Sequence, residues 1–231
     1  MTLNYPKHKN ILLQILKDIF SDTSIAPFLG FKGGTAALMF YGLDRNSVDI
    51  DLDILDESKK EEVFEKIQKI AAGYGKVVDS RVKRFNLMTI VSYDLKSQNI
   101  KIEVNCRSFG SRYELKTLLG ISMLVMVRED MFANKLMAMY ERIGKTSRDV
   151  YDVHFFAKNN WPINEKLVEE RAKMPFREVL AKCAELSEKM DNRHILDGLG
   201  EMLTDPQKDW AREKLRTDTI FLLKAWLASG K

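Results

Sequence analysis

The sequence predicts an α/β sheet domain followed by a helical C-terminal domain, and three observations carry that prediction. Strand-like alternation of apolar and polar residues falls in the first half of the chain. Helical spacing dominates from Arg128 onward. With 231 residues, 45% apolar and 30% charged, the chain has the length and composition to bury a sizeable core. The division is placed between residues 1–127 and 128–231, although no Pro- or Gly-rich linker marks it.

Each element follows from a local signal. Ile11, Leu12, Ile15, Leu16, Ile19 and Phe20 recur at helical spacing, and Asp22, Ser24 and Pro27 end that amphipathic helix. Gly33-Gly34 opens a short apolar helix over Thr35–Tyr41, and Gly42–Ser47 is a polar turn. Val48–Leu55 alternates as a strand. Ser58–Ala72 reads as a charged amphipathic helix, with Ser58 as N-cap and Gly73 as its stop. Three strands follow, Lys76–Val82, Phe85–Asp94 and Gln98–Asn105, the last two joined by a hairpin around Lys96-Ser97-Gln98. Ile121–Val127 is a further short strand or a buried connection. Helices are then predicted over Glu129–Ile143, Arg148–Lys158, Asn164–Ala172 and Arg177–Met190, and on to the end.

Composition removes several classes. Cys106 and Cys183 are far apart, without a CxxC or zinc-type spacing, as expected of two reduced thiols in a cytoplasmic protein. The polar start "MTLNYPKHKN" is unlike a signal peptide, and no apolar run nears the ~18 residues of a membrane span. The formal charge of +4 is compatible with a polyanionic partner without identifying one. There is no Walker loop, dinucleotide fingerprint or GxSxG elbow.

The chemistry concentrates in "GGTAALMFYGLDRNSVDIDLDI", Gly33–Ile54. On a strand, Ile50, Leu52 and Ile54 face one way and Asp49, Asp51 and Asp53 the other. Carboxylates two apart on one face can grip a divalent cation, and Mg²⁺ prefers such oxygen ligands together with waters or phosphate oxygens. That combination suits phosphoryl or nucleotidyl transfer. The competing explanation is a solvated acidic strand face. The strand Gln98–Asn105 repeats the pattern: Ile100, Ile102 and Val104 on one side, Lys101, Glu103 and Asn105 on the other. Were the two strands neighbours, Glu103 would add a third carboxylate, with Asp53 as the alternative and Lys101 as counter-charge. A plain Lys101–Glu103 surface ion pair, worth under about 1 kcal/mol, is the simpler account. The Gly33-Gly34 turn admits close backbone approach, and amides at a helix start attract phosphate. Thr35 either caps that helix or binds a phosphate oxygen. Arg45 and Ser47 either meet a triphosphate or are ordinary turn residues.

Taken together these residues resemble the nucleotidyltransferase-like AbiEii/AbiGii toxin family. Its first motif is matched by Gly33, Gly34, Thr35, Arg45, Ser47, Asp49 and Asp51. "IKIEVN", Ile100–Asn105, is similar to its weaker second motif. "EDMFANKLMAMYER", Glu129–Arg142, resembles its Lys-bearing helix and places that Lys at Lys135. "RDVYDV" matches its Arg-Asp-x-x-Asp signature through Arg148, Asp149 and Asp152. The resemblance spans Gly33 to Phe156, with Val48 where Glu is usual. It implies a DNA-polymerase-β-like nucleotidyltransferase sheet with a helical C-terminal part. It also implies the toxin of a type IV toxin–antitoxin pair, its antitoxin encoded separately, that uses a nucleoside triphosphate.

Read from the residues alone, Lys135 lies on a helix whose other side carries Met131, Phe132, Leu136 and Met139. It would present a compact charge to phosphate, or snorkel at the surface. Asp149 and Asp152 share a helix face, but "TSRD", Thr146–Asp149, is also a capping-box pattern. The isolated His8, His154 and His194, the Met-rich run 123–139 and the three Trp residues read as packing.

The expectation is therefore a metal-dependent nucleotidyltransferase. Asp49, Asp51 and Glu103 hold Mg²⁺. Gly33, Gly34, Thr35, Arg45, Ser47, Lys135 and Arg148 bind the nucleotide. Asp149 or Asp152 acts as base or positions the acceptor, the tRNA 3′ end. A small-molecule, antibiotic-type transferase and a non-catalytic binding module on the same fold are the alternatives.

Overall fold

A computed structural model describes residues 4–95 and 97–229, so Lys96 of the expected hairpin lies outside the described residues. The chain divides into two compact units, Met1–Val127 and Arg128–Lys231.

In the first unit, α1 (Tyr5–Ser21) starts where the Asn4 side chain accepts from the Lys7 amide, with Pro6 in the first turn, and it buries Leu12, Ile15, Leu16, Ile19 and Phe20. Strand β1 (Leu29–Lys32) runs directly into α2 (Gly33–Tyr41), which ends at Gly42 in the left-handed region, φ +74°. Strand β2 (Ile50–Ile54) follows, then α3 (Lys60–Ala72). The cap before α3 differs from expectation. Asp56, not Ser58, accepts the Ser58 amide, and a 3₁₀ turn over Glu57–Lys59 precedes the helix. Strands β3 (Lys76–Val82), β4 (Asn86–Ser92), β5 (Ile100–Asn105), β6 (Tyr113–Leu118) and β7 (Ile121–Met126) complete the unit.

The seven strands form one mixed sheet in the order β3-β4-β5-β2-β1-β7-β6. Strand β2 lies parallel to β5 and antiparallel to β1, so both acidic strands are neighbours at the sheet centre. Their registers align Lys32, Asp51 and Glu103 in one cross-strand row, and Gly30, Asp53 and Asn105 in another. The opposite face buries Phe31, Ile50, Leu52, Ile100, Ile102 and Val104 in the core. The helices supply the rest of that core.

The second unit is helical: α4 (Arg128–Arg142), α5 (Arg148–Lys158), α6 (Glu165–Ala172), α7 (Phe176–Lys189), α8 (Asp205–Trp210) and α9 (Arg216–Ala228). Asn164 caps α6 by accepting the Leu167 amide. Phe132 and Phe156 are fully buried; Phe156 stacks on Trp161 at 4.1 Å, and Phe132 meets Trp226 at 5.5 Å. Met131, Met137 and Met139 fill this core, and Met123 and Met126 that of the first unit. Among the described residues, no helix is long and apolar enough to cross a membrane.

Candidate active site

The polar face of β2 and β5 is built by strand alternation alone, and its charges are arranged around one ammonium. Lys101 Nζ lies 2.8 Å from Glu103 Oε2 and 3.7 Å from Asp49 Oδ2. Burial alone would depress the Lys101 pKa. The charges of Asp49 and Asp51 and the bond to Glu103 outweigh it and hold the pKa above its ordinary value. Glu103 shows the mirror image: burial would raise its carboxyl, but Lys101 and a 2.6 Å bond from Asn86 Nδ2 hold it below the usual range. Asp53 is occupied further along the strand. It takes Lys32 Nζ at 2.5 Å, Asn105 Nδ2 at 2.6 Å and the Tyr113 hydroxyl.

The glycine turn presses onto this face. Gly33 holds φ +79°, and a Cβ there would overlap Asp51 Oδ2. At Gly34 a Cβ would stand 2.8 Å from Arg45 Nη2 and 3.0 Å from Ser47 Oγ. Arg45 is buried and donates from Nη1 to the Asn46 carbonyl at 2.8 Å. Thr35 is buried with its hydroxyl 2.5 Å from the Asp49 carbonyl and 2.9 Å from Ser47 Oγ. It therefore fixes the turn to the start of β2, and no side chain caps α2. Gly33, Gly34, Thr35, Arg45, Ser47, Asp49 and Asp51 are thus one contiguous group. Sequence reasoning missed Lys32, Asn86 and Tyr113, whose roles come from cross-strand register, and Tyr5, which accepts from the Ser47 amide near Arg45.

A divalent cation must be tested against this donor set. Among the described residues no three His, Cys, Asp or Glu side chains form a metal-holding group. Glu103 is committed to Lys101 and Asn86. Asp51 carries no side-chain hydrogen bond among the described residues, and its Oδ2 lies directly against the Gly33 backbone. Two carboxylates on one face, Asp49 and Asp51, are the hard-oxygen donors that Mg²⁺ accepts when phosphates and waters complete its shell. The residues fit the ion in that mode.

The helical unit carries the other predicted residues. Lys135 on α4 points between two carboxylates of α5, 2.8 Å from Asp152 Oδ2 and 3.2 Å from Asp149 Oδ1. Asp149 and Asp152 are buried. Arg142 Nη2 stands 2.8 Å from Asp149 Oδ2 as an ion pair without hydrogen-bond alignment. The capping box expected of Thr146–Asp149 does not form. Ser147 takes the N-cap position without a side-chain cap bond, its hydroxyl donating to the His194 carbonyl at 3.3 Å. Arg148, half-buried at the start of α5, has no ion pair among the described residues. His154 packs against Trp210 at 4.9 Å, and His8 is buried with Nε2 2.9 Å from the Val48 carbonyl and Nδ1 2.9 Å from the Tyr93 hydroxyl.

Comparison with known proteins identifies the family and the fold. A family model for the nucleotidyl transferase AbiEii toxin of type IV toxin–antitoxin systems matches residues 14–221. A nucleotidyltransferase candidate from H. pylori has a similar solved structure, with 20% identity, a TM-score of 0.61, and coverage of 100% of this chain and 99% of that one. JHP933 from Helicobacter pylori aligns at 20% identity and a TM-score of 0.59, over 100% of this chain and 96% of its own. At such identity these structures speak for the fold. A search of curated proteins gave no match.

Proposed function

The chain belongs to the AbiEii family of nucleotidyltransferase toxins of type IV toxin–antitoxin systems, and from that premise we propose that it transfers a nucleotide from a nucleoside triphosphate to the 3′ end of tRNA, with Mg²⁺. The observation that carries the reading is Asp51 lying against Gly33, with Asp49 beside it on the same face and Arg45 and Ser47 packed on Gly34.

Asp49 and Asp51 would hold Mg²⁺, which when bound neutralises phosphate charge and lowers the barrier to displacement. The chain's own groups do the positioning. The Gly33-Gly34 amides at the start of α2 face incoming phosphate without a Cβ to hinder approach. Thr35 acts by tying that turn to the Asp49 carbonyl, which sets the spacing between phosphate cradle and carboxylates. Arg45 and Ser47 supply donors beside Gly34. Lys101 keeps the acidic face charge-balanced and Glu103 extended. In the helical unit, Lys135 supplies a phosphate-binding charge, and Asp149 and Asp152 hold it in place. Arg148 offers a second cation. The mildly basic chain, +4, favours an RNA acceptor over a neutral small molecule.

The test is incubation with each labelled nucleoside triphosphate, Mg²⁺ and total tRNA. Labelled tRNA is expected. No transfer from any nucleotide overturns the reading, and label on a small hydroxylated acceptor but never on RNA replaces it with an antibiotic-type transferase.

A further inference from the structure

At the end of the sheet beyond Asp53 lies a cluster that the transfer chemistry does not use. The β3–β4 hairpin turns through Lys83, Arg84 and Phe85, closed by the Lys83 amide donating to the Asn86 carbonyl at 2.8 Å. Phe85 is 43% exposed, which is unusual for an aromatic ring in a tight turn. Two guanidiniums stand over it, Arg84 at 4.9 Å and Arg107 at 5.3 Å, and Arg107 also lies 5.4 Å from the Phe109 ring. Arg81 nearby is paired with Asp79, whereas Lys83, Arg84 and Arg107 have no carboxylate partner among the described residues. Cation–π contact holds these planar cations at an exposed ring, and together they present an aromatic and cationic surface to solvent.

The cluster is braced and connected to the acidic face. The Cys106 amide donates to the Phe85 carbonyl at 2.7 Å, fixing the turn to the end of β5. Asn105 holds both sides: its Nδ2 donates to Asp53 Oδ1 at 2.6 Å and to the Arg107 carbonyl at 2.8 Å. Asn105 is two residues along β5 from Glu103, about 7 Å at the rise of a strand. A surface that begins two residues past Asn105, at Arg107, is therefore within a short extended segment of the carboxylates.

We propose that Phe85, Arg84, Arg107 and Phe109 form a stacking platform for single-stranded RNA, holding unpaired nucleotides of the acceptor strand as its end enters the site. Unpaired bases stack on aromatic rings and on Arg planes, while the same cations and Lys83 meet the backbone phosphates. A protein partner would need acidic complementarity and a broader apolar patch; a single ring flanked by planar cations suits a base. The proposal rests on the transferase reading for its acceptor, but its test does not depend on catalysis.

The test is the affinity of a fluorescein-labelled single-stranded oligoribonucleotide, measured by anisotropy without nucleotide or metal. Phe85→Leu, which keeps apolar bulk, is expected to weaken binding about tenfold. The pair Arg84→Gln and Arg107→Gln is expected to lower the slope of log affinity against log salt by about one per lost phosphate contact. Thermal melting of each variant separates these effects from misfolding. RNA binding without any nucleotide transfer sinks the transferase reading and leaves the platform standing. Affinity and salt slope unchanged in all variants, or no RNA affinity at all, overturns the platform even when transfer is observed.

Discussion

Lys101 and Glu103, two residues apart on one strand, are joined by a 2.8 Å ion pair inside a face that also carries Asp49 and Asp51. The ammonium thus stands among the carboxylates that would otherwise repel one another. Replacing it by an apolar group of similar length leaves three anions together. Lys101→Met is expected to destabilise the metal-free protein by about 1–2 kcal/mol, discounted for a side chain 32% exposed. It should also increase the stabilisation that Mg²⁺ confers, since ligand binding to the native state adds stability and a competing charge has gone. Thermal melts with chelator and with Mg²⁺ read both effects; an unaltered Mg²⁺ shift would show that Lys101 does not act on the ion's site.

Gly33 tests the turn against the carboxylate. An added methyl overlaps Asp51 Oδ2 at a backbone angle of φ +79°. Gly33→Ala is expected to cost about 1–2 kcal/mol in strain and to reduce transfer at least about a hundredfold, because the displacement falls on the reacting geometry. Asp51→Asn should lose transfer to the same degree with little change in melting, as Asp51 carries no side-chain hydrogen bond among the described residues. Wild-type transfer activity retained in both variants would remove this face from the chemistry.

His8 gives the molecule a pH dependence. It is buried, with Nε2 2.9 Å from the Val48 carbonyl, one residue before Asp49. Burial lowers its pKa, and the bonds to the Val48 and Gln98 carbonyls only partly oppose that. A depressed folded-state pKa means that the unfolded chain binds the proton first. The contribution to stability is complete above about pH 6.5 and is lost as pH falls through the lower folded value. Denaturant midpoints measured between about pH 7 and pH 5.5 should fall in the wild type, and fall less in His8→Gln.

The legible parts of the sequence were those set by local period. Alternation gave β2 and β5 and the facing of their charges, and helical spacing gave α1 and α5. Strand β1 has only Leu29–Lys32 with a glycine inside it, too short to show a period. Strand β6 is a largely exposed edge in which Glu114 and Lys116 share one face and Leu115 on the other is exposed too, so burial imposes no pattern on it. In the site, residue types were readable and partners were not. That Glu103 is bound by Asn86 and Asp53 by Tyr113 depends on registers of strands far apart in sequence. The Thr146–Asp149 pattern misled for a related reason: Lys135 and Arg142 compete for the Asp149 carboxylate and leave none for capping.

That competition also determines how Lys135 must be tested. Its Nζ is 2.8 Å from Asp152 Oδ2 and 3.2 Å from Asp149 Oδ1, and both acids are buried. Lys135→Ala removes the cation between two buried carboxylates, of which Asp149 keeps Arg142, a change of up to about 3–5 kcal/mol against a total stability of about 5–15. Loss of activity in that variant alone would therefore not distinguish a missing phosphate contact from a weakened fold. Removing charge from both sides does. Lys135→Met with Asp152→Asn is expected to recover part of the lost stability, with a coupling of at least about 1 kcal/mol between the two positions. If Lys135 binds phosphate, the refolded double variant stays deficient in transfer and its KM for the nucleoside triphosphate rises, whereas Asp152→Asn alone keeps most nucleotide affinity. Recovery of transfer together with stability would reduce Lys135 to a structural ion pair and move the phosphate contact elsewhere.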